Sequence, residues 1–340
     1  MPLWKSCPLH RIPWARAALA VLVILAAAAP AAAASKDYEG FFGVLDVALT
    51  QPNSLDQHFA DSLIFTGGGA DYTRHVLDND DDSTFRIQIG YSFGKGLGSI
   101  RASYWNFEND DTQVMSIPGG VYPTVFGSSY YTAPGGYYGG SYYLYNSAGV
   151  SVIASSKVKA STLDLDYIGP MVGGGKVSVN WLAGLRVATY EEDQAFDGDD
   201  LYGDYIIQGK HFESDAAGIR VGAKAAFELS RHFRLEGEVA LSLLQADTKG
   251  DSFQLVSAAG ILDTNHGEDD NVRGEIRDLD VRGVWDAGPF DFYVGYAAST
   301  WDGLVTDPVP GPAGFSSVPG RDSISFNSIH GGVIWRFGSP

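Results

Sequence analysis

Cysteine is nearly missing from this 340-residue sequence: the one thiol is Cys7, so no disulfide framework can hold the fold together. Basic side chains are scarce as well. Twenty-three Lys and Arg face 41 Asp and Glu, a formal charge of -18, which argues against nucleic acid as a partner. No segment of useful length after the N-terminal region repeats its apolar residues at the helical period, which removes the helical fold classes. His-Glu-x-x-His and other metal-ligand spacings are absent, so neither a metal site nor a cofactor is expected, and catalytic residues are not expected either.

The one apolar run of note lies at the start. Lys5, Arg11 and Arg16 precede an apolar stretch from Ala17 to Ala29, followed by Pro30 and alanines. The stretch falls short of the ~20 residues that cross a bilayer as a helix. It reads as a secretory signal over 1–34, cut after Ala34. Cys7 leaves with it. The remaining 306 residues, 35–340, carry 20 basic and 41 acidic side chains, and form one expected domain.

What is abundant is glycine, at 42, with 18 tyrosines and 18 phenylalanines, the composition of sheet and turn. Apolar and polar residues alternate at period two in ten segments. These are Tyr38–Leu49, Thr84–Phe93, Ser99–Phe107, Thr162–Tyr167, Val177–Val187, Ile219–Phe227, Phe233–Leu243, Arg273–Trp285, Phe290–Thr300 and Ser323–Phe337. Connections alternate between short and long, the long ones spanning roughly 50–83, 108–157, 191–215, 248–272 and 302–322. An antiparallel transmembrane β-barrel with short periplasmic turns and long external loops has this arrangement. The expectation is therefore an all-β barrel of about ten strands in the bacterial outer membrane. The Gly- and Tyr-rich stretch 118–149 offers an extra hairpin that would make twelve, a plain loop or a segment folded into the lumen. Oligomeric state is not legible.

Charges on the polar strand faces must point inward, because a mid-membrane Arg or Lys facing lipid costs ~2–4 kcal/mol. The expected lumen-lining set is Arg86, Arg101, Asp164, Asp166, Arg186, Arg220, Lys224, Arg234, Glu236, Glu238, Asp280 and Arg282, and Arg336 also lies on a polar face that points inward. They either line water, where Arg86, Arg186, Arg220 and Lys224 would favour anions, or pair across a filled lumen. Aromatics beside the short turns read as an interfacial girdle, and Trp335 with Phe337 as the terminal signal for the barrel-assembly machinery. Acidic runs at Asp78–Asp82, Glu191–Asp193, Asp197–Asp200 and Glu268–Asp270 are either solvated loop charge or carboxylates bridged by divalent cations to lipopolysaccharide. Gly90-Tyr-Ser92-Phe-Gly94 matches the nucleophile-elbow pattern, but no helix follows it.

Four pieces also resemble the pore-forming major outer membrane protein family of the Legionella type: Ser161–Gly169, Trp181–Ala188, the hairpin Ala217–Leu244 and the ending Ile329–Phe337. The resemblance implies a passive outer-membrane pore for small solutes. An adhesin or a structural barrel without a conducting lumen is the alternative, and a barrel enzyme a third.

Overall fold

The alternation becomes a ring of antiparallel strands in the computed structural model. It describes residues 39–53, 57–66, 69–77, 81–94, 96–123, 132–133, 136–137, 144–199, 204–257, 261–288, 290–305 and 323–339. The elements are β1 (Glu39–Asn53), β2 (Gln57–Thr66), β3 (Gly69–Leu77), β4 (Asp82–Phe93), β5 (Ser99–Pro123), β6 (Thr132–Ala133) and β7 (Gly136–Tyr137). They continue with β8 (Leu144–Gly174), β9 (Val177–Asp199), β10 (Tyr205–Glu228), β11 (Phe233–Val256), β12 (Ile261–Asp286), β13 (Phe290–Asp302) and β14 (Ser323–Ser339). The expected signal, 1–34, lies outside the described residues, as do 124–131, 134–135 and 138–143 of the Gly- and Tyr-rich stretch.

Because β1 pairs with both β4 and β14, and β5 with both β4 and β8, the sheet closes on itself with ten strands in the ring. The β2–β3 hairpin stands outside that ring, joined to the far end of β5 through Ala60–Leu63 against Gly120–Pro123. Closure removes the exposed edges that would otherwise pair with other chains.

Around the short-turn end runs a belt of outward apolar side chains. Phe41, Leu45, Val47 and Leu49 on β1 are exposed, as are Leu163 and Leu165 on β8, Leu185 and Val187 on β9, and Phe290, Phe292 and Val294 on β13. Positions 41 to 49 supply about the 9–11 residues a tilted strand needs to cross a bilayer. In water so much exposed apolar surface would aggregate. In lipid it is the stable arrangement, and the chain is a membrane-spanning barrel.

The structure corrects the expected long loops. β5, β8, β9, β10, β11 and β12 run without interruption through most of 108–157, 191–215 and 248–272 and raise one side of the barrel into a tall wall. The physical reason is an inversion of polarity. Within the belt the apolar face points out to lipid. Beyond it the outer face meets water, and the apolar residues turn inward: Val150, Val152, Ala154 and Val158 on β8, Tyr190 and Phe196 on β9, and Ile206 and Phe212 on β10 are buried. Glu191, Asp193 and Glu213 take the outer face. The backbone period never changes, but the apolar set switches parity, and a sequence scan sees the alternation end.

Short turns lie at the opposite end. Gly94, Gly96 and Gly98 all adopt positive φ, with Leu97 N–H donating to Gly94 O at 2.9 Å, so this segment is a tight connection. Ser92 sits in β4 opposite Gly40 of β1, which removes the strand-to-helix elbow its motif requires.

Candidate functional site

All twelve expected lumen residues lie on inward-facing positions, and the register shows how. Arg101 of β5 stands opposite Asp166 of β8, Asp164 of β8 opposite Arg186 of β9, Lys224 of β10 opposite Glu238 of β11, and Glu236 of β11 opposite Arg282 of β12. Cross-strand neighbours of opposite charge on one face attract, and here they do so away from bulk water.

Arg186 grips Asp164 with two bonds, Nε to Oδ1 at 2.6 Å and Nη2 to Oδ2 at 2.8 Å, and reaches Asp278 at 2.8 Å. Arg101 forks onto Glu238 with two bonds of 2.8 Å and donates a third of 2.8 Å to Asp166. Arg220 shares these acids, at 2.7 Å from Asp166 and 3.1 Å from Glu238. Arg282 donates twice to Glu236 Oε2, at 3.0 and 2.7 Å, and its guanidinium stacks 4.8 Å over the Tyr293 ring. Lys224 and Arg234 also meet Glu236, at 3.2 and 2.6 Å, and Arg86 meets Asp280 at 3.0 Å.

Sequence reading missed Asp46, Asp278, Asp291 and His330, while it placed Arg336 on an inward polar face. Asp291 takes Arg234 at 2.6 Å and also Arg336, while His330 Nδ1 lies 2.9 Å from Asp46. Their signal was parity alone: each occupies the inward position of a correctly read strand. With them cations and acids come close to matching. Arg86, Arg101, Arg186, Arg220, Lys224, Arg234, Arg282 and Arg336 face Asp46, Asp164, Asp166, Glu236, Glu238, Asp278, Asp280 and Asp291, and His330 lies between Asp46 and Asp280, at 2.9 and 3.5 Å. The wall arginines that would have favoured anions are therefore spent on carboxylates.

Apolar side chains lie beside and above these charges. On β1 and β12 to β14, Val44, Val284, Tyr293 and Ile334 pack with Phe42, level with Arg234, Asp291 and Arg336, which stand opposite Val284, Ile334 and Phe42. Towards the tall end, Trp105, Phe107, Trp301 and Phe326 meet at centroid distances of 5.1 to 6.4 Å, with Tyr190, Phe212 and Leu304 in the same cluster. Higher still, Leu77, Ile117, Val150, Val152 and Phe196 form another cluster. A cavity of about 70 Å³ remains in the ionic layer, lined by Arg86, Arg101, Asp164 and Arg220 among others. That is room for a handful of waters, at ~10–15 Å³ each.

No family model matches the chain, and no curated protein does. Among solved structures, the outer membrane protease OmpT from Escherichia coli is similar at 10% identity with a TM-score of 0.47, over 90% of this chain and 99% of that one. The translocator domain of autotransporter NalP from Neisseria meningitidis is similar at 10% identity with a TM-score of 0.31, over 96% of each chain. Ail, the attachment invasion locus protein of Yersinia pestis, matches at 8% identity with a TM-score of 0.19, over 88% of this chain and 99% of that one.

A second group of side chains sits on the outer face of the tall wall, above the belt. Glu191, Asp193 and His211 place a potential ligand atom each within 4.8 Å of one another, although no metal-ligand spacing exists in the sequence. The ligands come from two neighbouring strands, within a segment, 191–215, whose sequence reads as loop.

Proposed function

We propose that this protein is a bacterial outer-membrane barrel with a closed lumen that acts through its tall extracellular wall, as a binding or structural barrel, and is not an enzyme. The observation that carries the reading is the paired ionic layer with a layer of aromatic rings above it. A passive pore needs a continuous wet path, and along the described lumen cations are matched to acids and aromatic rings fill the section above them. The expected small-solute pore is therefore the weaker reading. The outer-face Lys157, Lys159 and Lys249 lie just above the lipid belt, at a height that suits contact with lipopolysaccharide, and Trp335 with Phe337 would serve the assembly machinery.

Planar-bilayer recording on the refolded barrel tests this. The expected record is silent. Reproducible unitary conductance steps from the native protein would restore the pore.

A further inference from the structure

Two rows of ionisable side chains cross the outer face of β8 to β12 in strict register. The upper row runs Lys157, Asp193, His211, Asp251, His266, and the lower row Lys159, Glu191, Glu213, Lys249, Glu268. Along each row basic and acidic residues alternate, with one exception. Glu191 stands directly opposite Glu213. Like charges in that relation destabilise a sheet, so the pair calls for a compensating cation.

Asp193 lies above Glu191 and His211 above Glu213, giving a two-by-two block of three carboxylates and one imidazole. Glu191, Asp193 and His211 offer ligand atoms within 4.8 Å of one another, and Glu213 Oε2 lies 3.9 Å from His211 Nε2. Two lysines share the acidic charge, Lys159 at 2.8 Å from Glu191 and Lys249 at 3.2 Å from Glu213. Lys249 is exposed and Lys159 half-exposed, so a solvent cation can replace them cheaply. The neighbouring block provides an internal comparison. His266 Nδ1 lies 2.7 Å from Asp251 and Nε2 3.4 Å from Glu268, as in the first block, but its fourth corner is Lys249 and its charge is already offset. A concavity of about 730 Å³, lined by Asp193, His211, Asp251, Phe253 and His266, leaves space for an ion and its waters.

We propose that Glu191, Asp193, His211 and Glu213 form a binding site for a divalent transition-metal ion of the zinc class on the outer face of the wall. The imidazole selects for this class over calcium and magnesium, which prefer oxygen ligands alone. Ligand distances of ~2.0–2.2 Å bring donors in a tetrahedral shell to about 3.4 Å apart. Rotation of these part-exposed side chains closes the difference from 4.8 Å. The site does not depend on whether the lumen conducts.

The test uses residues 35–340 refolded as a barrel, stripped with EDTA and titrated with zinc chloride against a chromogenic chelator. Heat-modifiable migration verifies the fold of every variant. The expected result is one zinc per barrel, with affinity reduced tenfold or more in His211→Ala and in Glu213→Gln and kept in His266→Ala. Zinc binding absent from the folded native barrel, or an equal loss in His266→Ala, overturns the proposal. Displacement of zinc by equimolar calcium also overturns it, because the carboxylates alone would then account for binding.

Discussion

The Trp335 indole lies against the bare backbone of Gly43 on the next strand: a Cβ built on Gly43 would fall 2.3 Å from Trp335 Cε2 and Cζ2. This contact spans the seam where the last strand meets the first. The ring covers a position where a side chain would otherwise stand, which pins the register of closure. Gly43→Val should push the indole off and weaken the seam, lowering the temperature at which the barrel loses its compact gel migration. Phe337→Ala, two residues on along the same face, should reduce the yield of assembled barrel. Unchanged migration and yield in both variants would remove the seam from the account of assembly.

Arg186 is held by two short hydrogen bonds to Asp164 and a 2.8 Å ion pair with Asp278, all in the lumen. Arg186→Ala leaves both acids short of a partner in a water-poor interior, at a cost of about 3–5 kcal/mol. Urea unfolding of the refolded barrel should show that loss, and Asp164→Asn in the same chain should recover part of it. Recovery is expected because the double variant removes a matched pair of charges. A single variant as stable as the native protein would mean the ionic layer contributes little.

The membrane belt was legible because lipid outside and charge inside give the period-two alternation its full contrast, as at Leu163 to Tyr167. The wall above was not. There the contrast inverts, and Glu191 or Asp193 on a strand looks like any acidic loop. The histidine row was hidden further by a bulge between Ala246 and Thr248, where β12 spends an extra residue and Asn271 adopts a φ of 67°. Below this bulge the odd-numbered residues of β12 face outward, and above it the even-numbered ones do. Without it His266 would face the lumen. No local residue pattern announces such a shift, whereas the pairing of Asp164 with Arg186 needed only two correctly phased strands.

His266 gives a prediction in pH. Its hydrogen bond to Asp251, helped by Glu268, raises the imidazole above its ordinary 6.5, and Lys249 is the nearby opposing charge. A raised folded-state value means the pair's stabilising contribution is fully present below about pH 6.5 and disappears as pH rises through the folded value. The imidazole resonances of the detergent-solubilised barrel should titrate above the free-histidine range, and Asp251→Asn should bring His266 back towards it. A native His266 that titrates at or below 6.5 would show that the pair does not persist in solution.

Closure of the lumen is layered, and this bears on what one set of substitutions can open. Arg101 and Glu238 form a fork near the middle, and removing both leaves Arg220 still 2.7 Å from Asp166, so the remaining charges stay matched. Arg101→Ala with Glu238→Ala should therefore fold and enlarge the small central cavity. Above that cavity Trp105, Phe107, Trp301 and Phe326 keep their ring contacts. Water gained below these rings has no polar route through them among the described residues, so the double variant should remain electrically silent. Adding Trp105→Ala and Phe326→Ala removes the two rings at the hub of the aromatic layer and should produce measurable leak. Conductance from the charge variant alone would show that the ionic layer by itself was the barrier and that the aromatic layer is permeable to water and ions.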